Sequence, residues 1–362
     1  MKHENFGRIT IIVGMQYGSE GKGAITSYLA PGCSLGVRTG AANAGHTIYY
    51  EGQKFIMRQI PSVWVNPYAK LVIGVGAIIS PDILSEEIEC TDRILPVKNR
   101  IFIDYRAHVI SRKQIRAEQR TDLAQRIGST SATSGEGIGT ATADKVLRKK
   151  SCVQAKDMEW MKPYLCDTVE MVNKYLECEH PIILEGTQGF GLSLEHGNFP
   201  YITSRDTSAV ALAASIGVSP HYFDVQVIGV VRSYPIRVAG NSGSFGEDSE
   251  EITWDKLTKF AGADQPIIEM TSVTGKVRRV ATFSEVDFTR ACQVNRPTEI
   301  ALTFADYLDW RIHEKDEVSR TVESFISDLE NLYDAPVMLV KTGPETVIDY
   351  NWYRRSMLRK IR

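Results

Sequence analysis

The run Gly14-Met15-Gln16-Tyr17-Gly18-Ser19-Glu20-Gly21-Lys22-Gly23 has the composition of a phosphate cradle. Glycines between a strand and a helix let backbone N–H groups and the helix N-terminus converge on an anion, and Lys22 adds a point charge. The order departs from the usual P-loop fingerprint. Gln16 stands where that fingerprint has its first glycine, and Gly23 where it has the hydroxyl that holds magnesium, so a variant phosphate-binding loop is expected. A second loop, Gly40-Ala41-Ala42-Asn43-Ala44-Gly45-His46-Thr47, sets a histidine, an amide and a hydroxyl among residues too small to form a core. Such neighbours admit a ligand close to the backbone, as a general acid or oxyanion donor requires. A third loop, Ser129 to Gly139, offers hydroxyls and N–H groups to a phosphate, or serves as a flexible linker. Lys276-Val277-Arg278-Arg279, after Thr274-Gly275, either grips a carboxylate through an arginine fork or is a solvated face.

These loops need a scaffold, and short apolar runs supply one. Ile9–Val13, Leu71–Val75, Arg100–Asp104, Ile182–Glu185, Val225–Val231, Glu299–Thr303 and Val337–Lys341 read as strands with almost no polar alternation, separated by helix-like segments such as Ala24–Ala30. Strands buried on both faces imply an α/β fold with a large, mostly parallel central sheet and flanking helices, and ligands then gather at the strand carboxyl ends. No domain boundary stands out, so residues 1–362 are expected to form a single domain, with Asn241 to Glu251 as its most mobile loop.

Forty-two Lys+Arg against 44 Asp+Glu leave a net charge of −2, so no global basic field argues for DNA, RNA or an anionic membrane as partner. Six cysteines without CxxC pairs read as free buried thiols of a reducing compartment. The polar N-terminus and the short apolar runs predict a soluble, cytoplasmic protein.

Taken together, GMQYGSEGKG, NAGHT, IGVGAIISP, TSGEGIG with DKV and Arg148 behind it, LEGTQG with EHGNFPYITS, and KTGP follow the order seen in adenylosuccinate synthetases. The chain resembles that family from about Ile9 to Pro344. The resemblance implies a homodimeric ligase whose ligands are a nucleoside triphosphate, Mg2+, a 6-oxopurine monophosphate and L-aspartate. In that chemistry the purine 6-oxygen attacks the γ-phosphate, and the aspartate amine then displaces phosphate at ring carbon six. Carried over by position, Ser19, Lys22, His46 and Gln188 form the catalytic set. Lys22 faces the transferring phosphate, and His46 donates to the 6-oxygen. Gly18, Glu20, Gly21, Gly23, Thr47, Phe304, Asp306, Thr342, Gly343 and Pro344 belong to the triphosphate site. Ser19, Asn43, Thr133, Ser134, Arg148, Gln188 and Thr203 belong to the monophosphate nucleotide, with Arg148 reaching that of the partner subunit. Thr274, Lys276 and Arg278 close on aspartate, and Ser19 with the Gly45 carbonyl is left to meet the magnesium.

Three departures refine the expectation. The family's glycine loop reads GDEGKG, whose aspartate takes the ring proton and ligates magnesium; this chain has Ser19 there, and an unassisted serine hydroxyl is no base. Serine leaves room for a guanine amino group and can accept its hydrogen bond. The change resembles the viral (bacteriophage) branch that converts dGMP to 2-aminoadenylosuccinate on the way to diaminopurine DNA. The expected substrates are therefore dGMP and L-aspartate, the alternatives being an IMP-acting synthetase and an inactive nucleotide-binding homologue. The family's TKxD segment reads Thr303-Phe304-Ala305-Asp306, an aromatic ring in place of lysine, which predicts ATP or dATP as donor, with GTP as the third possibility. Lys276 stands where the family has arginine, a point charge in place of a fork.

Overall fold

The computed structural model describes residues 8–121, 135–219, 223–271 and 275–360. At its centre lies β1 (Arg8–Gly14), whose residues alternate between two cores. Ile9, Ile11 and Val13 pack on one side, with the helices Thr168–Glu177, Glu285–Asn295 and Arg320–Leu332. Ile12 packs on the other, with α1 (Lys22–Leu29) and the helix Pro81–Asp92. A strand points successive side chains to opposite faces, so two covered faces make it apolar from Ile11 to Val13, and Thr10 meets its polar need through Gln226 at 2.8 Å.

Among the described residues, ten strands form the main sheet. From one edge they are Leu165–Cys166, Ile101–Asp104, Lys70–Ile73, β2 (Leu35–Arg38), Ile182–Glu185, β1, Asp224–Arg232, Glu299–Thr303, Val337–Lys341 and Val347–Asp349. All neighbours pair in parallel except the last two. Each apolar run expected as a strand is one. The sequence reading misses β2 because Gly36 interrupts its apolar run; a Cβ there would lie 1.9 Å from a methyl of Val63.

The chain leaves β1 for β2, works outward to that edge, then returns to insert Ile182–Glu185 between β2 and β1. The next strand, Asp224–Arg232, lies on the other side of β1. This reversal brings the carboxyl ends of Ile182–Glu185, β1, Asp224–Arg232 and Glu299–Thr303 side by side, and their loops build the crevice where such folds bind ligands.

Two secondary expectations need correction. The Asn241 to Glu251 segment is irregular but anchored: Phe245 is buried edge-on to Tyr17 at 5.7 Å, and Arg279 donates to the Gly243 carbonyl at 2.7 Å. All six cysteines are free, but only Cys33 and Cys292 are buried. Among the described residues, no helix is long and apolar enough to cross a membrane.

Candidate active site

The glycine loop takes its shape from left-handed residues and from one inward carboxylate. Gly18, Ser19 and Gly21 have φ of 86°, 57° and 88°. Glu20, expected at the triphosphate, instead turns into its own loop and is fully buried. Its Oε1 accepts from the N–H groups of Gln16 (3.2 Å) and Gly18 (2.7 Å), and its Oε2 from the Lys22 ammonium at 2.5 Å. A carboxylate thus fills the nest that glycine loops offer to anions, and the Glu20 side chain is spent within its own loop. Gly14 and Gly189 make the cradle, since a Cβ on either would lie within 2.5 Å of a Glu20 oxygen. α1 starts at Lys22, so its N-terminal N–H groups face the same space.

His46 and Thr47, expected in a loop, begin β3 (His46–Tyr50), which pairs with β4 (Gln53–Met57). Gly23 lets this hairpin press against α1: a Cβ there would lie 2.7 Å from that of His46. The His46 Nδ1 meets Oε1 of Glu185, the last residue of a central strand. Glu185 also accepts from the Ser62 N–H at 2.7 Å and the Ser62 hydroxyl at 2.6 Å, with Arg38 Nη1 3.7 Å away. Burial would raise the Glu185 carboxyl, but His46 and Arg38 hold it down at about 2. Burial, then the Arg38 charge, pushes His46 down to about 4. An ionised carboxylate only accepts, so the neutral imidazole carries its proton on Nδ1 and leaves Nε2 for the ligand side. The sequence reading missed Glu185 and Arg38. The signal was a lone acid ending the otherwise apolar Ile-Ile-Leu-Glu strand.

Asn43, Gln188 and Thr203 come together in a cavity of about 230 Å3. The Gln188 amide donates to Asn43 Oδ1 at 3.1 Å, while its Oε1 is buried without a protein partner. An orphan acceptor in a cavity suits a donor on a bound base. Lys145 and Arg205, not anticipated, line the same cavity. Arg205 donates to the carbonyls of Thr39 (2.5 Å) and Gly76 (2.7 Å), and burial lowers its guanidinium to about 10. Arg148 is exposed at φ 53°, just past the helix Ile138–Val146. Thr133, Ser134 and Thr274 lie outside the described residues.

Across the crevice, Phe304 does not present a free ring. The Arg232 guanidinium covers it at 3.8 Å from the centroid, and Tyr307 lies against it at 5.2 Å. Asp306 is buried, its Oδ2 bonded to Nδ1 of His313 at 2.7 Å; burial pushes its carboxyl up to about 6 against the pull of His313. His313 in turn stacks on Trp310 at 3.9 Å. Thr342 is buried and spends its hydroxyl on the Lys315 carbonyl (2.7 Å), Gly343 abuts Glu314, and Pro344 is exposed. The segment 310–316 therefore walls this side, which no motif signalled. Lys276 is exposed and Arg278 half-buried on the hairpin that Glu269 opens.

Among the described residues, no three His, Cys, Asp or Glu side chains gather to hold a metal. The Ser19 hydroxyl and Gly45 carbonyl are neutral oxygens, a donor set that fits a magnesium ion drawing its charge balance from substrate phosphates.

A protein-family model described as adenylosuccinate synthetase matches residues 11–159 and 151–311. The adenylosuccinate synthetase of Pyrococcus horikoshii is 36% identical over 342 residues, covering 92% of this chain and 96% of the relative. That of Archaeoglobus fulgidus is 38% identical over 344 residues, covering 93% and 96%. Among solved structures, the succinoaminodeoxyadenylate synthetase PurZ of cyanophage S-2L, bound to dGMP and to dATP as energy donor, aligns with a TM-score of 0.78 at 27% identity, covering 94% and 93% of the two chains. The fully ligated adenylosuccinate synthetase of Plasmodium falciparum shares the fold, with a TM-score of 0.80 at 20% identity over 95% and 100%.

Proposed function

Because the chain belongs to the adenylosuccinate synthetase family of C–N ligases, which use a nucleoside triphosphate and aspartate, we propose that its acceptor nucleotide is dGMP and its product the succinylated 2-aminopurine deoxynucleotide. The observation that carries this reading is Ser19. The loop's one carboxylate, Glu20, is committed to Gln16, Gly18 and Lys22, so nothing in the loop replaces the family's aspartate as base. A small hydroxyl at this place leaves room for the guanine 2-amino group and accepts from it, and the orphan Gln188 Oε1 offers a second acceptor to the same base. The dGMP bound to the cyanophage protein supports the same assignment.

In this reading the 6-oxygen attacks the γ-phosphorus, the bond to the departing diphosphate breaks, and the ring N1 proton, with no loop carboxylate to take it, passes to a phosphate oxygen of the bound triphosphate. Lys22 and the α1 N-terminus meet the transferring charge. His46, oriented by Glu185, hydrogen-bonds the 6-oxygen through Nε2; phosphate oxygens arriving nearby favour its cationic, donating form. The aspartate amine then bonds to carbon six as the C–O bond breaks and phosphate leaves. Mg2+, held by the Gly45 carbonyl, the Ser19 hydroxyl and phosphate oxygens, would neutralise charge on the triphosphate. For the donor we assign ATP or dATP: His313 already occupies one oxygen of Asp306, leaving it half the acceptor pair that guanine's two N–H edges require. We further assign a homodimer in which the exposed Arg148 reaches the partner's nucleotide, and a cytoplasmic setting.

The archaeal relatives favour a second reading, IMP as acceptor, and by sequence similarity they weigh more heavily than the cyanophage protein does. Phosphate release with aspartate, Mg2+ and dATP, comparing dGMP, GMP and IMP with mass spectrometry of products, separates them. A succinylated product from dGMP and little from IMP is the expected result. Turnover of IMP alone overturns the dGMP assignment.

A further inference from the structure

Arg232 ends the strand beside β1, and its side chain is fully buried. Its surroundings do not resemble those of a core ion pair. Nη1 donates to the Ser19 carbonyl at 3.2 Å and to Glu269 Oε2 at 3.3 Å, while Nη2 donates to Glu269 Oε1. The guanidinium plane lies on the Phe304 ring, and Nε is buried without a partner. The Arg232 backbone is fixed as well: its N–H and carbonyl each bond the Gln16 side-chain amide at 3.0 Å.

Each contact reaches a different part of the crevice. Ser19 belongs to the glycine loop. Phe304 opens the segment that carries Asp306. Glu269 anchors the hairpin of Lys276 and Arg278: the Arg278 N–H donates to the Glu269 carbonyl at 2.9 Å, and the Thr271 N–H to the Lys276 carbonyl at 2.8 Å. A rigid planar fork can satisfy a carboxylate edge, a carbonyl and a stacked ring together only when all three segments hold one relative placement.

We propose that Arg232 is a positioning residue that couples the aspartate-side hairpin to the glycine loop and the donor-base segment, so that aspartate and the triphosphate strengthen each other's binding. The inference rests on the proposed function for which ligand meets which segment, but not on whether the acceptor is dGMP or IMP. Because one fork holds all three, a shift of Glu269 is passed to Ser19 and Phe304. Lysine at position 232 would keep the charge and lose both the second arm and the stacking plane.

The test is calorimetric titration with the non-hydrolysable β,γ-imido analogue of dATP, or of GTP if the wild type takes only that, with aspartate absent or saturating. One series contains dGMP and one IMP, and turnover with each is measured in parallel. Aspartate is expected to tighten triphosphate binding about 10-fold in the wild type, and this factor is expected to fall to about one in Arg232→Lys and in Glu269→Gln. Triphosphate affinity without aspartate should change far less. Glu269→Gln keeps the side-chain shape and leaves Arg232 in place, so it carries the test should the lysine variant fail to fold. A folded variant with the coupling factor intact overturns the proposal, as does a wild type without coupling in either series. Coupling with IMP but no turnover of dGMP refutes the acceptor assignment alone.

Discussion

Replacing Gly189 by alanine should slow catalysis about 100-fold in a protein that still folds. Gly189 has a φ of −148°, open to any residue, so backbone strain is not the cause. A Cβ at this position would lie 2.2 Å from Glu20 Oε1 and 2.6 Å from both the Gln16 carbonyl oxygen and the Gly18 nitrogen. Two of these atoms are backbone and cannot rotate away. Relieving the overlap must separate the LEGTQG segment from the glycine loop by about 1 Å, stretching the 2.7 Å bond from the Gly191 N–H to the Gln16 carbonyl. A displacement of about 1 Å at reacting groups costs about 100-fold in rate, against about 1–3 kcal/mol of stability for overpacking of this kind. The assay is kcat for phosphate release beside urea unfolding, with Gly32→Ala as control, because a Cβ there meets nothing within 4 Å. A Gly189→Ala enzyme with the kcat of that control would refute the account of how the two loops fit.

Three further outcomes follow from the same geometry. Glu20→Gln sets an amide NH2 against either the Lys22 ammonium or two backbone N–H groups, so urea unfolding should show a loss of about 3 kcal/mol; wild-type stability would mean that the inward carboxylate is not structural. His46 sits near 4 in the folded protein against an ordinary 6.5, so below pH 6.5 the unfolded chain binds a proton that the native one does not. Stability should therefore be full above pH 6.5 and fall by about 3 kcal/mol toward pH 4, with Glu185 adding to the loss below its ordinary value of 4.5, and His46→Gln should flatten the slope between pH 6.5 and 4.5. Ser19→Asp, at a left-handed position that aspartate tolerates, should lower kcat/KM for dGMP and raise it for IMP by about 100-fold in ratio; equal use of dGMP would remove the crowding argument.

The seven apolar runs were legible because strands covered on both faces leave no polar alternation to confuse them. β2 was not, since Gly36 answers to the distant Val63 and has no local signature. The motif loops were legible as chemistry, and Asn43, Gln188 and Thr203 do share one cavity. What sequence order hides is direction. Nothing in SEGKG says that Glu20 points inward, because that depends on glycines at positions 14 and 189 clearing its space. Likewise, Phe304 reads as a base platform until Arg232 is found lying on it.

The bonds between Gln16 and Arg232 span 216 residues. The glycine loop leaves the ribosome well before the clamp that shapes it, which arrives only after residue 232 has emerged, and β1 itself waits for both of its neighbours. A nascent chain therefore carries a glycine-rich stretch that cannot grip nucleotide until residue 232 is out, and closing so distant a contact makes folding slow. Competence for phosphate should appear abruptly and late, with no half-built enzyme able to waste a triphosphate along the way.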